Sequence, residues 1–226
     1  MDGPVSDAHG EVMNPSTGSL VEVFADIWCP FTHVGLRAFD EQRILTGCTD
    51  LGIRVRPWPL ELVNGRPLDP VVTRAHVDDL RAQVAPKLFC RVDLDHFPTS
   101  TLDALALVEG AYRKAQSTGE RASFMLRDAL FEEGRDISDS TVLAKIAEDL
   151  GLDMPDDINH AAVIAGWHEG QERGVLGSPH FFCGDNDVFC PSLDITKGSE
   201  DDLAIIMDAS RLTEFLEQCF AETGPP

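Results

Sequence analysis

Between Leu20 and Gly35 the hydrophobic register of the chain switches from that of a strand to that of a helix, and a cysteine–proline pair marks the switch. Leu20 to Ile27 is an apolar, β-rich run, while Val34, Ala38, Phe39 and Leu45 fall at helical spacing after Pro30. Proline suits the first position of a helix, because the N–H it lacks would be unpaired there anyway. Cys29 therefore stands where a buried strand feeds a helix start. Free amides and the positive end of the helix dipole at such a place favour thiolate over thiol. A buried structural cysteine is the competing reading of the same residue.

The next segment constrains the first. Ile53, Val55 and Trp58 alternate with Arg54 and Arg56 between Gly52 and Leu62, which predicts a half-buried strand. Pro57 and Pro59 make it an edge strand or end it early. Strand, helix and strand form a βαβ unit whose strands should run parallel. From Asp69 to Arg173 the pattern is helical, punctuated by Pro86, Pro98, Gly119, Gly134 and Gly151. Thr101–Gln116 is predicted as one helix, Ser138-Asp139 as the N-cap of another that stops at Gly151, and Asp157–Arg173 as a further one. Strand character returns at Gly174-Val-Leu-Gly-Ser-Pro-His-Phe-Phe-Cys183, followed by a turn over Gly184–Asp187 and a second hairpin arm at Val188–Cys190. Asp194–Asp202 has no clear pattern. Leu203–Met207 fits either a strand or the start of a last helix, whose stripe is Leu212, Phe215, Leu216 and Phe220. The expected division is a disordered tail over 1–18, a first α/β part over 19–68, a helical insertion over 69–156 and a second α/β part over 157–226.

Composition narrows the function classes. A formal charge of −21 over 226 residues repels phosphate backbones and anionic membranes, so neither is an expected partner. No run approaches the roughly 20 apolar residues that span a bilayer, and the first residues have no signal-peptide pattern. The six cysteines are scattered and do not form a disulfide framework, which makes a reducing cytoplasm the expected compartment. His-x2-Cys-x6-Cys at His180, Cys183 and Cys190 is one ligand short of a zinc site, so no metal is expected. Core packing is the expectation for Cys48, Cys90, Cys183, Cys190 and Cys219. Dinucleotide and phosphate-loop fingerprints are absent, so no tightly bound cofactor is predicted.

Phe24-x-Asp26-x-x-Cys29-Pro30 with Gly35, then Ala129-Leu-Phe-Glu-Glu-Gly-Arg-Asp-Ile-Ser-Asp139, then Gly-Ser178-Pro179 resemble thioredoxin-fold proteins of the DsbA type. The closest likeness is to the branch of FrnE-like oxidoreductases and 2-hydroxychromene-2-carboxylate isomerases. It runs from about Leu20 to Cys190, with its three motifs in the right order. The resemblance implies a thioredoxin-like α/β fold with a large inserted helical domain, a cis-proline at Pro179 beside Cys29, and thiol–disulfide chemistry. Redox members of the branch carry a second cysteine one helical turn after the first; here that position is Thr32. Isomerase and kappa-class glutathione transferase relatives commonly have serine at the first position, whereas this chain has Cys29. The site is thus expected to be monothiol.

The resemblance implies Cys29 as nucleophile, with Thr32 as a hydroxyl donor to its thiolate or as mere filler after loss of redox function. Pro30, Phe31, Ser178 and Pro179 would contact substrate. Asp26 would relay protons or tune the thiol, or would simply be a strand-end acid or local cap. His33 would stabilise the thiolate by charge if protonated, or, as a lone histidine on a first helical turn more often is, would simply be solvated. Because Thr32 cannot attack a mixed disulfide, a low-molecular-weight or protein-borne thiol is expected as cosubstrate. Three activities stay open: a single-cysteine oxidoreductase, a thiol-dependent isomerase or transferase, and a binding protein on the same scaffold.

Overall fold

The structure, a computed structural model, describes residues 20–49, 51–197 and 203–223, with side chains described to Cys219. The tail expected over 1–18, residues 198–202 of the unpatterned segment and the Phe220 side chain lie outside the described residues. The sheet begins with β1 (Leu20–Ala25), which enters α1 (Pro30–Leu45) and returns as β2 (Gly52–Pro57). β1 and β2 are parallel, with Val23 opposite Val55. β3 (His180–Cys183) lies antiparallel on the other side of β1, and β4 (Asn186–Phe189) completes the order β2-β1-β3-β4. This is a thioredoxin-like fold, with a helical block inserted between β2 and β3.

β1 reads as a near-continuous apolar run because both of its faces are covered. Val21, Val23 and Ala25 face the main core together with Phe39 of α1 and Phe215 of α8 (Ser210–Thr223). Phe24 faces the other way, into a small cluster with Trp58 and Phe182 beneath α7 (Asp157–Glu172). α7 presses flush onto that cluster because it presents Gly166 to Pro57 and Gly170 to Trp58 and Phe24, where a Cβ would collide.

The second strand ends at Pro57, as its prolines demand, and the chain turns at once into α2 (Leu60–Asn64), so Leu60–Leu62 are helical rather than extended. α3 (Pro70–Gln83) follows, its N-terminus capped by the Asp69 carboxylate, which accepts from the Val71 and Val72 amides. The stretch from Val84 to Thr101 is turns and bends, not helix. The single helix expected over Thr101–Gln116 is broken at Ala115, where extended backbone separates α4 (Leu102–Lys114) from α5 (Gln116–Phe131). α6 (Ser140–Leu150) starts at the Asp139 cap and stops at left-handed Gly151. The hairpin turn is tighter than predicted: Cys183 pairs with Asn186, leaving only Gly184 and Asp185 in the loop. β5 (Leu193–Lys197) and β6 (Leu203–Met207) form a separate antiparallel pair, which settles Leu203–Met207 as strand.

β2 is an outer strand of the sheet, and side chains of the insertion bond its open edge. The Tyr112 hydroxyl donates to Ile53 O at 3.1 Å and accepts from Val55 N at 2.8 Å. Gln116 donates to Ile53 O at 2.6 Å, and Glu120 accepts from Ile53 N at 3.3 Å. α4 and α5 pack against each other closely enough that Gly119 has no room for a Cβ beside the Tyr112 ring.

Candidate active site

The end of β1 and the start of α1 meet the loop before β3 at Cys29. Cys29 is the N-cap of α1 in extended conformation, with Pro30 at the first helical position. Its sulfur points across to the Ser178 carbonyl, to which the thiol donates at 3.1 Å. The Ser178–Pro179 peptide bond is cis. α1 approaches that loop closely because residue 35 is glycine; a Cβ there would stand 3.3 Å from the Pro179 ring. Thr32 Oγ1 and Ser178 Oγ lie 2.7 Å apart, and Ser178 Oγ also accepts from the Asp26 amide at 2.9 Å. Cys29, Thr32, Ser178, Pro179 and Asp26 therefore converge from segments about 150 positions apart in sequence.

The sulfur differs from the sequence expectation in one respect. Burial pushes the Cys29 thiol above its ordinary value, and the nearby Asp26 carboxyl adds to the rise. The Thr32 and Ser178 hydroxyls and the Thr32 amide pull against this without overcoming it. A helix start favours thiolate only as far as the sulfur stays hydrated, and this one is 3% exposed.

Asp26 is wholly buried and not a strand-end acid in solvent. Its Oδ2 accepts from the Leu60 amide at 2.5 Å and its Oδ1 from the Trp28 amide at 3.4 Å, so it ties β1 to the start of α2. Burial raises it to about 6, against the Leu60 and Trp28 amides and the Arg127 charge. His33 corrects another expectation: it is buried rather than solvated, between the Phe89 and Phe131 rings, with Nε2 2.8 Å from Glu132. Glu132 also accepts from the Phe89 and Cys90 amides, each at 2.9 Å. Burial pushes Glu132 up, but His33 and those two amides outweigh it and hold the carboxyl at about 2.

Above the sulfur opens a pocket of about 270 Å³. Pro30, Phe31 and Ser178 form one side and Leu60, Pro67, Leu68, Val72 and His76 the other, with Arg66 the one Lys or Arg in its lining. A larger concavity of about 640 Å³ lies between Arg43, Gln116 and Phe124, but it holds neither cysteine nor histidine. We take the smaller pocket as the site because it contains the sulfur. No grouping of His, Cys, Asp and Glu suited to a metal ion exists among the described residues. Cys183, Cys190 and Cys219 are buried as expected and half-buried Cys48 packs against the core, whereas Cys90 falls in a turn and is exposed.

Sequence reasoning missed Arg127, Glu132 and the pocket wall from Leu60 to His76. The one available signal for Arg127 is its place four residues after Ser123 on the apolar stripe of α5, between Leu126 and Leu130.

A thioredoxin-like fold with a cysteine at a helix start facing a cis-proline defines a class of thiol-active proteins. Residues 20–217 match the DSBA-like thioredoxin domain, and the chain belongs to that family. Solved structures agree on the fold. A probable DsbA oxidoreductase from Streptomyces coelicolor is 22% identical, covers 92% of each chain and superposes with a TM-score of 0.64. The cytosolic disulfide reductase DsbM from Pseudomonas aeruginosa, solved with GSH, is 18% identical over 90% of this chain and 98% of its own, TM-score 0.53. A 2-hydroxychromene-2-carboxylate isomerase is 18% identical over 75% and 88%, TM-score 0.54. Among the described residues no helix is long and apolar enough to cross a membrane.

Proposed function

We propose that the protein is a DsbA-type thiol–disulfide oxidoreductase that works through one sulfur, Cys29 Sγ, and borrows its second thiol from a low-molecular-weight cosubstrate. The observation that carries this reading is the position of that sulfur. It sits at the start of α1, 3.1 Å from the Ser178 carbonyl, on the floor of a pocket of about 270 Å³. The Cys29 thiolate attacks one sulfur of a disulfide R–S–S–R′; a Cys29–S–R bond forms and R′S⁻ leaves. Thr32 has no sulfur to displace RS, so a thiol R″SH gives up its proton to solvent and attacks the substrate sulfur as R″S⁻; R–S–S–R″ departs and Cys29 is restored as the thiolate. The pocket suits a small disulfide with an apolar body, and six cysteines with no disulfide between them suit a reducing compartment such as the cytoplasm.

The test is to treat reduced protein with a small disulfide and map the adducts by peptide mass. Adduct on Cys29, absent in Cys29→Ser and released by added thiol, is expected; Cys90 is exposed and supplies the background. Adduct confined to Cys90 would overturn the reading.

One observation favours a second activity. Cys29 donates to a carbonyl beside the clustered Thr32 and Ser178 hydroxyls, a set of donors able to hold a bound thiolate without bonding to it covalently. That is what a thiol-dependent isomerase or transferase needs, and the likeness to the isomerase supports it. Saturable thiol binding with no adduct would favour this activity; full cellular function in Cys29→Ser without thiol binding would favour a binding protein.

A further inference from the structure

Beneath the reactive turn lies a buried cation. Arg127 is the one Lys or Arg side chain among the described residues that is buried, and it is fully so. From α5 it reaches under the end of β1, where its Nη2 donates to the Asp26 carbonyl at 3.0 Å. Nη1 donates to Ser123 O at 3.1 Å and Ser123 Oγ at 2.8 Å, and Nε is buried with no partner. The guanidinium thus makes only neutral contacts. A buried cation is strongly unfavourable unless negative charge lies near, and truncating all its ionic partners leaves it uncompensated.

The groups that can compensate it are few. Tyr112 of α4 faces Arg127 but is committed to β2 through Val55 and Ile53, and burial pushes its hydroxyl up. Asp128, next to Arg127 on α5, turns outward to pair with Arg37 of α1. His33 is engaged with Glu132. On the far side, burial and the Cys29 sulfur push the Cys190 thiol up to about 12, so it stays protonated. What remains is the Asp26 carboxyl and the Cys29 sulfur, both carried by the turn that Arg127 holds.

We propose that Arg127 is a positioning residue and the buried counter-charge of the reactive turn, letting the floor of the pocket carry one negative charge, on Asp26 or on Cys29, but not two. In the neutral range the resting charge is on Asp26. When Cys29 becomes a thiolate, Asp26 takes a proton, so the net charge of the trio is unchanged and the two acids titrate as a coupled pair. The oxidoreductase then owes its reactive sulfur to an arginine delivered by the helical insertion. This inference rests on the reading of Cys29 as the reacting sulfur, and the experiment separates the two.

The measurements are the pH midpoint of Cys29 alkylation, followed by peptide mass, and the midpoint of the Asp26 carboxyl, followed by its ¹³C resonance. Arg127→Gln keeps a donor for the Asp26 carbonyl and removes the charge; both midpoints are expected to rise by about one to three pH units. Arg127→Lys, which keeps the charge and loses the fork of hydrogen bonds, should move them far less. A strut that merely held the strand end would show the reverse ranking or no shift, and unchanged midpoints in Arg127→Gln overturn the proposal. Should that variant not fold, Asp26→Asn/Arg127→Gln removes both charges together. Its Cys29 midpoint is expected about a unit or more above that of Asp26→Asn alone, and equality overturns the proposal. If wild-type Cys29 never reacts while Asp26 still shifts with Arg127→Gln, the oxidoreductase reading falls and the counter-charge stands.

Discussion

The Cys29 sulfur has two surroundings of opposite character. On the pocket side it meets neutral groups: the Ser178 carbonyl and the Thr32 and Ser178 hydroxyls, all from the α/β part. On the inner side lie polar pairs: Asp26 above Arg127, both shut off from water, and buried His33 against the partly exposed Glu132, with both partners supplied by the end of α5. Neutral donors act only at contact and so govern which atoms can lie against the sulfur. Buried charge acts over longer distances in a poorly polarisable medium, so Asp26 adds to burial in raising the thiol while those hydroxyls pull it down. Contact geometry at the sulfur is therefore set by the α/β part, and its ionisation by burial together with groups on both sides.

The largest way to break the comparison is on the pocket side. Thr32→Cys places a second sulfur one turn into α1, and we expect an internal disulfide with Cys29 on mild oxidation, with any bound small thiol expelled. Intact mass after incubation with a disulfide decides it; a persistent mixed disulfide would show that residue 32 does not determine the product. On the inner side, Glu132→Ala leaves His33 and the Phe89 and Cys90 amides without their acceptor. The expected loss is on the order of 3 kcal/mol in urea unfolding, with small effect on pocket binding.

Asp26 sharpens the contrast through pH. Its folded value of about 6 lies above the ordinary 3.8, so the folded state holds the proton more tightly and this group's contribution to stability is lost as pH rises from about 4 to 6. At 1.36 kcal/mol per unit the decline amounts to roughly 3 kcal/mol at most. Denaturation of Asp26→Asn across the same range should lack it; parallel curves for the two proteins would refute the assignment.

The smallest effect is local. His180 is buried, with Nε2 2.9 Å from Asp187 and Nδ1 accepting from the Leu176 amide at 3.2 Å, which anchors the loop carrying Ser178. Burial lowers His180 below 6.5 and the nearby Arg173 charge adds to this, against the pull of Asp187. The folded state thus disfavours the imidazolium, and stability from this group is lost as pH falls. Once protonated, Nδ1 cannot accept. Exchange protection of the Leu176 amide, corrected for intrinsic rate, should fall with acidification in the wild type and stay flat in His180→Asn.

The same division explains what the sequence disclosed. Cys29-Pro30 was legible because a register change and a proline at the first helical position are local events. Ser178-Pro179 was legible through a family motif. Arg127 was not, because an arginine on a helix reads as solvent-facing until the element above it is known. The burial of His33 is hidden in the sequence for the same reason: its partner is 99 positions away. β5 is hard to read because it has only Leu193 and Ile195 as apolar residues and lies on a two-stranded sheet that leaves Asp194, Thr196 and Lys197 exposed.

The hydrogen bonds along the free edge of β2 carry a mechanical consequence. Tyr112, Gln116 and Glu120 occupy the backbone positions a fifth strand would take, so the helical insertion is laced to the sheet and not hung from it by two connectors. A block fastened along an edge cannot swing as a lid without exposing that edge to strand addition by another chain. The opening above the sulfur lies where that lacing is absent, between α1 and the stretch from Leu60 to His76, so the wall facing Cys29 is held by packing and not by the sheet edge.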